Sequence, residues 1–165
     1  MTQQLARADR KVLEACQRDA QSLDDLCSFR LLDADDYLGL DWAPPLLEAV
    51  GAASGAPSEL LASLATATAG DDEVNPDYRE SPDTVWEHPV SFLLPHQVDD
   101  VARSLRELDG SDFLYEVDVN AALEGRPAGS VPVNPQEYLP TQFRALLLFY
   151  EEAARRGLCT IMWLD

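Results

Sequence analysis

The stretch Phe149-Tyr150-Glu151-Glu152-Ala153-Ala154-Arg155-Arg156-Gly157-Leu158-Cys159-Thr160-Ile161-Met162-Trp163-Leu164 changes its hydrophobic period at one glycine. Before Gly157, the apolar residues Phe143, Leu146, Leu147, Tyr150 and Ala154 recur at i, i+3, i+4, i+7 and i+11, one face of a helix. Pro140 suits its first turn, and Glu151 with Arg155, and Glu152 with Arg156, are spaced to pair across one turn of its outer side. Gly157 ends it, since a left-handed residue closes a helix and glycine adopts that conformation without a Cβ clash. Leu158 to Leu164 then carries no charge and includes Thr160, Ile161 and Trp163, the composition of an interior strand covered on both faces. A helix that hands the chain to a doubly buried strand predicts the α/β class.

The same logic extends upstream. Val90 to Leu94 is apolar and bounded by Pro89 and Pro95, as a buried strand would be, and Pro95 fits the first position of a helix. That helix presents Val98, Val101, Ala102, Leu105 and Leu108 inward, has Asp99 and Asp100 early and Arg103 and Arg106 late in accord with the helix dipole, and stops at Gly110. Ser111 is expected to cap a further helix through Phe113, Leu114, Val117 and Leu123, with residues 125–136 as a connector. Nearer the start, Gln3 to Ala6 reads as extended, and Asp9 caps a helix carrying Val12, Leu13, Cys16 and Ala20. Ser22 caps a second helix that closes at Phe29; residues 33–41 form a loop; Asp41 caps a helix with Trp42, Leu46 and Val50, and Ser58 opens another through Leu60, Leu61 and Leu64. Residues 70–89 mix turn formers with Asp71, Asp72, Glu73, Glu80 and Asp83, which predicts a mobile acidic loop.

With 165 residues, 46% hydrophobic and 25% charged, the chain fits one folded domain over residues 1–165, burying roughly 70% of its unfolded surface. The formal charge is −18, from 30 acidic residues against 12 basic, and Lys11 is the single lysine. Such a field repels phosphate backbones and anionic lipid, so neither nucleic acid nor membrane is an expected partner. No segment approaches the ~18 apolar residues of a membrane span, and the first residues lack the basic and apolar runs of an export signal. Cys16, Cys27 and Cys159 form no C-x-x-C pair and are odd in number, which argues against a disulfide framework and suits a reducing cytoplasm.

Gln3-Gln4-Leu5-Ala6-Arg7, Leu38-Gly39-Leu40-Asp41-Trp42, Phe92-Leu93-Leu94-Pro95-His96-Gln97-Val98 and the closing helix and strand resemble, in order and spacing over nearly the whole chain, the YfbM-like family. The resemblance implies a three-layer α/β/α arrangement with a small mixed sheet. It is carried by aliphatic, aromatic and turn residues, so it brings no catalytic residue with it. Family members often place a basic residue between the aspartate and the tryptophan and a histidine shortly after, whereas Asp41 here adjoins Trp42 and Pro44-Pro45 follow.

For chemistry, His88 and His96 lie eight positions apart across a predicted strand, which is not the one-turn spacing of paired zinc ligands on a helix. The acidic run from Asp33 to Asp41 fails the calcium-loop pattern, with Pro44 where the twelfth-position glutamate belongs. There is no nucleophile elbow, P-loop or dinucleotide fingerprint. No cofactor or metal is therefore expected. The leading expectation is a non-enzymatic binding module, an inhibitor-like or immunity-like partner of a basic protein, contacting it through Asp71, Asp72, Glu73, Trp86 and His88; Trp86 is the one tryptophan expected to be partly exposed. The alternative is a small enzyme with a site near His88, His96 and Cys159. Oligomeric state is not legible in the sequence.

Overall fold

The computed structural model describes residues 2–80, 88–127 and 131–165. Its centre is a five-stranded sheet in the order β2-β1-β5-β4-β3. The strands are β1 (Gln3–Ala8), β2 (Tyr37–Gly39), β3 (Asp72–Glu73), β4 (Ser91–Leu93) and β5 (Cys159–Leu164). Every ladder among the described residues is antiparallel, so the mixed sheet implied by the family resemblance is corrected. β5 occupies the middle, paired with β1 from Gln3↔Leu164 to Ala8↔Cys159 and with β4 from Ser91↔Met162 to Leu93↔Thr160. Its uncharged run is explained by that position: both edges are hydrogen-bonded and both faces are covered.

Strand alternation splits the core in two. Leu5, Leu93 and Met162 face the larger cluster, built with α3 (Ala43–Ser54), α4 (Ser58–Ala69), α5 (Pro95–Asp109), α6 (Val119–Ala122) and α7 (Pro135–Arg156). Ala6, Ala8, Phe92, Cys159, Ile161 and Trp163 face the smaller one, under α1 (Arg10–Arg18) and α2 (Ala20–Cys27). The result is a single α/β domain with helices on both sides of the sheet.

Local signals explain most boundaries. Asp9 caps α1 through Val12 N at 2.9 Å. Asp19, rather than Ser22, caps α2, accepting from the backbone of Ser22 at 2.9 Å and its hydroxyl at 2.6 Å. Gln97 reaches back to Leu94 N at 2.8 Å, closing the first turn of α5 behind Pro95. α7 begins at Pro135, and Pro140 lies inside it; one lost amide donor near a helix start is tolerated when the apolar face beyond is this long.

Four further expectations about local structure are corrected. Residues 37–39 form the edge strand β2 instead of a loop. Asp41 adopts left-handed backbone, φ 46°, and does not cap α3, whose first residue follows Trp42. The helix expected from Ser111 is a series of turns followed only by α6. The acidic loop expected over residues 70–89 contains regular structure as far as residue 80: Asp71 N and Val74 N donate to Phe92 O and Val90 O on either side of β3, and a 3-10 turn over Pro76–Glu80 buries Tyr78 against α2. Residues 81–87 lie outside the described residues.

Candidate functional site

At the C-terminal end of β5 a cleft of about 320 Å³ opens between the start of α3, the end of α4 and the His88-Pro89 segment. Its walls include Gln3, Glu48, Thr68, His88, Ser91 and Met162. Three of the polar side chains are already committed inward. Gln3 donates to Trp163 O at 3.1 Å, Thr68 to Ala65 O at 3.2 Å and Ser91 to Ala69 O at 2.5 Å. The Ser91 proton therefore points at a carbonyl and not at a base, so this hydroxyl is not set up as a nucleophile. Exposed Glu48 and His88 remain as the side chains at the cleft that can meet a ligand.

The helix that forms one wall is a poor anion site. Pro44 and Pro45 occupy its first turn, which removes two of the amide donors that would otherwise face a ligand. Glu48 adds negative charge on the same element. A cationic group is the natural complement.

The acidic trio does not line this cleft, and the strand period divides it. Glu73 pairs with Ser91 across the ladder and is bound by Arg79 at 2.8 Å. Asp71 accepts a hydrogen bond from Gln97 Nε2 at 2.7 Å, fastening β3 to α5. Asp72, opposite Phe92, projects to the other face, is exposed and has no side-chain partner among the described residues. Charge on a short edge strand also blocks edge-to-edge pairing, the structural role such residues commonly serve. Trp86 lies outside the described residues. Trp42, expected to be buried, is 56% exposed, whereas Trp163 is buried.

His88, His96 and Cys159 are not brought together. His88 and His96 flank opposite ends of β4, and His88 shares its cleft with Met162 to Leu164, about 10–17 Å along β5 from Cys159. Cys159 does share the His96 end of the sheet, but it is fully buried on the α1/α2 face, while His96 is exposed on α5 across the sheet. Burial also raises the Cys159 thiol above its ordinary value, the opposite of an activated nucleophile. Cys16, lifted to about 11, and Cys27, raised further in the same direction, are buried too, and all three are free thiols. Among the described residues, no group of His, Cys, Asp and Glu could hold a metal ion, and no helix is long and apolar enough to cross a membrane.

No protein-family model matches this chain, and no curated protein matches it significantly in sequence. Among solved structures, YfbM from Escherichia coli, a protein of unknown function, is similar at a TM-score of 0.64 and 14% identity, over 98% of this chain and 98% of that one. At that identity the likeness shows a YfbM-like fold and no site residue.

Proposed function

We propose that this protein is a binding module whose acidic surface receives a basic partner protein. The observation that carries the reading is the use of its few cations: nine of the eleven arginines already sit in ion pairs with the protein's own carboxylates. Asp72 on β3 and Glu48 at the cleft have no such partner among the described residues and face solvent. Charge left uncompensated after internal pairing acts outward, steering oppositely charged molecules and raising association rates in a salt-dependent way. The cleft with Glu48 and His88, beside a proline-blocked helix start, supports the same preference for a cation.

Affinity capture from the native lysate, with washes at low and high salt, tests the reading. One dominant basic protein, released as salt rises, is the expected result. A bound set that is acidic or neutral, or indifferent to salt, counts against it. With the partner in hand, Asp71→Asn, Asp72→Asn and Glu73→Gln together should slow association several-fold; an unchanged rate removes the β3 edge from the interface.

A further inference from the structure

On the side of the larger core cluster away from β3, the chain between Arg106 and Arg126 carries six carboxylates and no basic residue. Where this stretch passes the N-terminal half of α7 there is a cavity of about 250 Å³. Phe113 and Phe143, packed edge to face at 5.0 Å, are among the residues that line it, with Pro140 from α7. Asp109 and Asp112 stand at its rim, and Asp112 has φ 53°, a left-handed turn that aspartate tolerates better than most residues. Tyr115 N donates back to Asp112 O at 2.8 Å, and this turn leaves the Tyr115 side chain 72% exposed beside the cavity. One cation is already present: Arg144 lines the cavity and reaches Asp109 at a loose 3.8 Å, with both side chains substantially exposed.

The geometry points to this cavity as the seat for an arginine side chain of the basic partner, a conclusion that rests on the reading of the protein as an acidic binding module. An arginine has the matching chemistry: an aliphatic stem to lie along the half-buried Pro140, and a planar guanidinium that takes carboxylates as a fork and stacks on an aromatic face such as the exposed Tyr115. A neutral apolar side chain would leave Asp112 unanswered at the rim and add nothing to the loose Asp109 pair. An anion would meet repulsion from both. Arg144 holds the place only weakly, at a distance beyond a good hydrogen bond, so an incoming guanidinium with better geometry displaces it.

The test is a titration of the 15N-labelled protein with acetyl-arginine amide, with tetramethylammonium as a cation that cannot form the fork. Saturable shifts at Asp112, Leu114, Tyr115 and Arg144 for the first probe and not the second are expected. Arg144→Gln should tighten acetyl-arginine amide at least threefold by removing the internal competitor. Arg103→Gln removes the same charge from an exposed pair with Asp100 elsewhere on α5 and should leave affinity unchanged. Tyr115→Ala, at a site too exposed to matter for folding, should weaken the probe at least threefold. Equal effects of the two arginine substitutions, shifts scattered over other acidic surfaces, or no saturable shift in Arg144→Gln would each overturn the assignment. Failure here is distinct from failure of the partner reading: a captured partner still held at full affinity by Tyr115→Ala removes only this cavity.

Discussion

Gly70 joins α4 to β3 at φ 71° and ψ −168°, a backbone region open in practice to glycine alone. An added Cβ would also meet Ser91 Oγ at 2.6 Å and Met162 Sδ at 3.2 Å, so both conformation and space exclude a side chain. Gly70→Ala should therefore cost about 2–4 kcal/mol, read as a shift in urea midpoint at constant slope. Asp36 poses a different problem. It is largely shielded from solvent and held by Arg7 at 3.2 Å and Arg156 at 2.5 Å, tying the turn before β2 to both β1 and the end of α7. Asp36→Ala leaves two guanidinium groups facing each other without their shared anion and should cost about 2 kcal/mol, less than a fully buried pair because water still reaches the site. Asp36→Asn, which keeps the shape and removes the charge, should recover little of the loss. Neither role is visible in the sequence, where Gly70 reads only as the start of an acidic loop and Asp36 as one more acid in a run of them.

At the scale of elements, what was legible followed from unbroken period. β5, α5 and the C-terminal half of α7 announce themselves because their buried positions are apolar at nearly every turn or alternate residue. β3 does not, since its pairing depends on backbone groups of β4 and its own side chains are acidic. Val74 and Tyr78, which bury the following turn, are isolated among polar residues. The ion pairs on α7 depart from the i, i+4 expectation for a related reason: Glu151 pairs with Arg106 on α5 and Arg156 with Asp36, which leaves Arg155 to Glu152, three residues before it. The same kind of long-range contact ends α4. Tyr150 OH donates to Ala67 O at 2.8 Å, satisfying one of the carbonyls that a helix C-terminus leaves without an internal donor. Tyr150→Phe keeps the packing and strands that carbonyl in the core, so thermal and urea unfolding should report a loss of about 1–2 kcal/mol. The candidate site was half legible: acidity and His88 stood out, but the cleft beside them and the cavity near Tyr115 exist only once distant segments meet.

For the whole molecule, charge and burial make opposite demands. A net charge of −18 repels itself, and the native state crowds those charges more than the unfolded chain does, so stability should rise between 10 and about 500 mM sodium chloride as screening sets in. Alkaline pH acts on the interior instead. Cys16, Cys27, Cys159 and Tyr150 all have acidity suppressed by burial, so their native values lie above their unfolded ones. Stability from keeping them neutral is complete below the unfolded thiol value of 9.0 and is lost as pH climbs through the native range, which for Cys16 reaches about 11. Urea midpoints measured from pH 8 to pH 11 should fall, and Cys16→Ala should flatten the decline; a midpoint insensitive to pH there would show that the thiols do not titrate on unfolding. The central position of β5 has one more consequence, for how the chain is made. Ribosomes deliver residues in order, so β1 and β4 emerge long before the strand that separates and joins them. Until residues 159–164 clear the exit tunnel, both neighbours wait with open edges, and the nascent chain cannot complete its sheet. Closure of the sheet therefore waits for its central strand, a window in which a chaperone that shields strand edges has the most to protect.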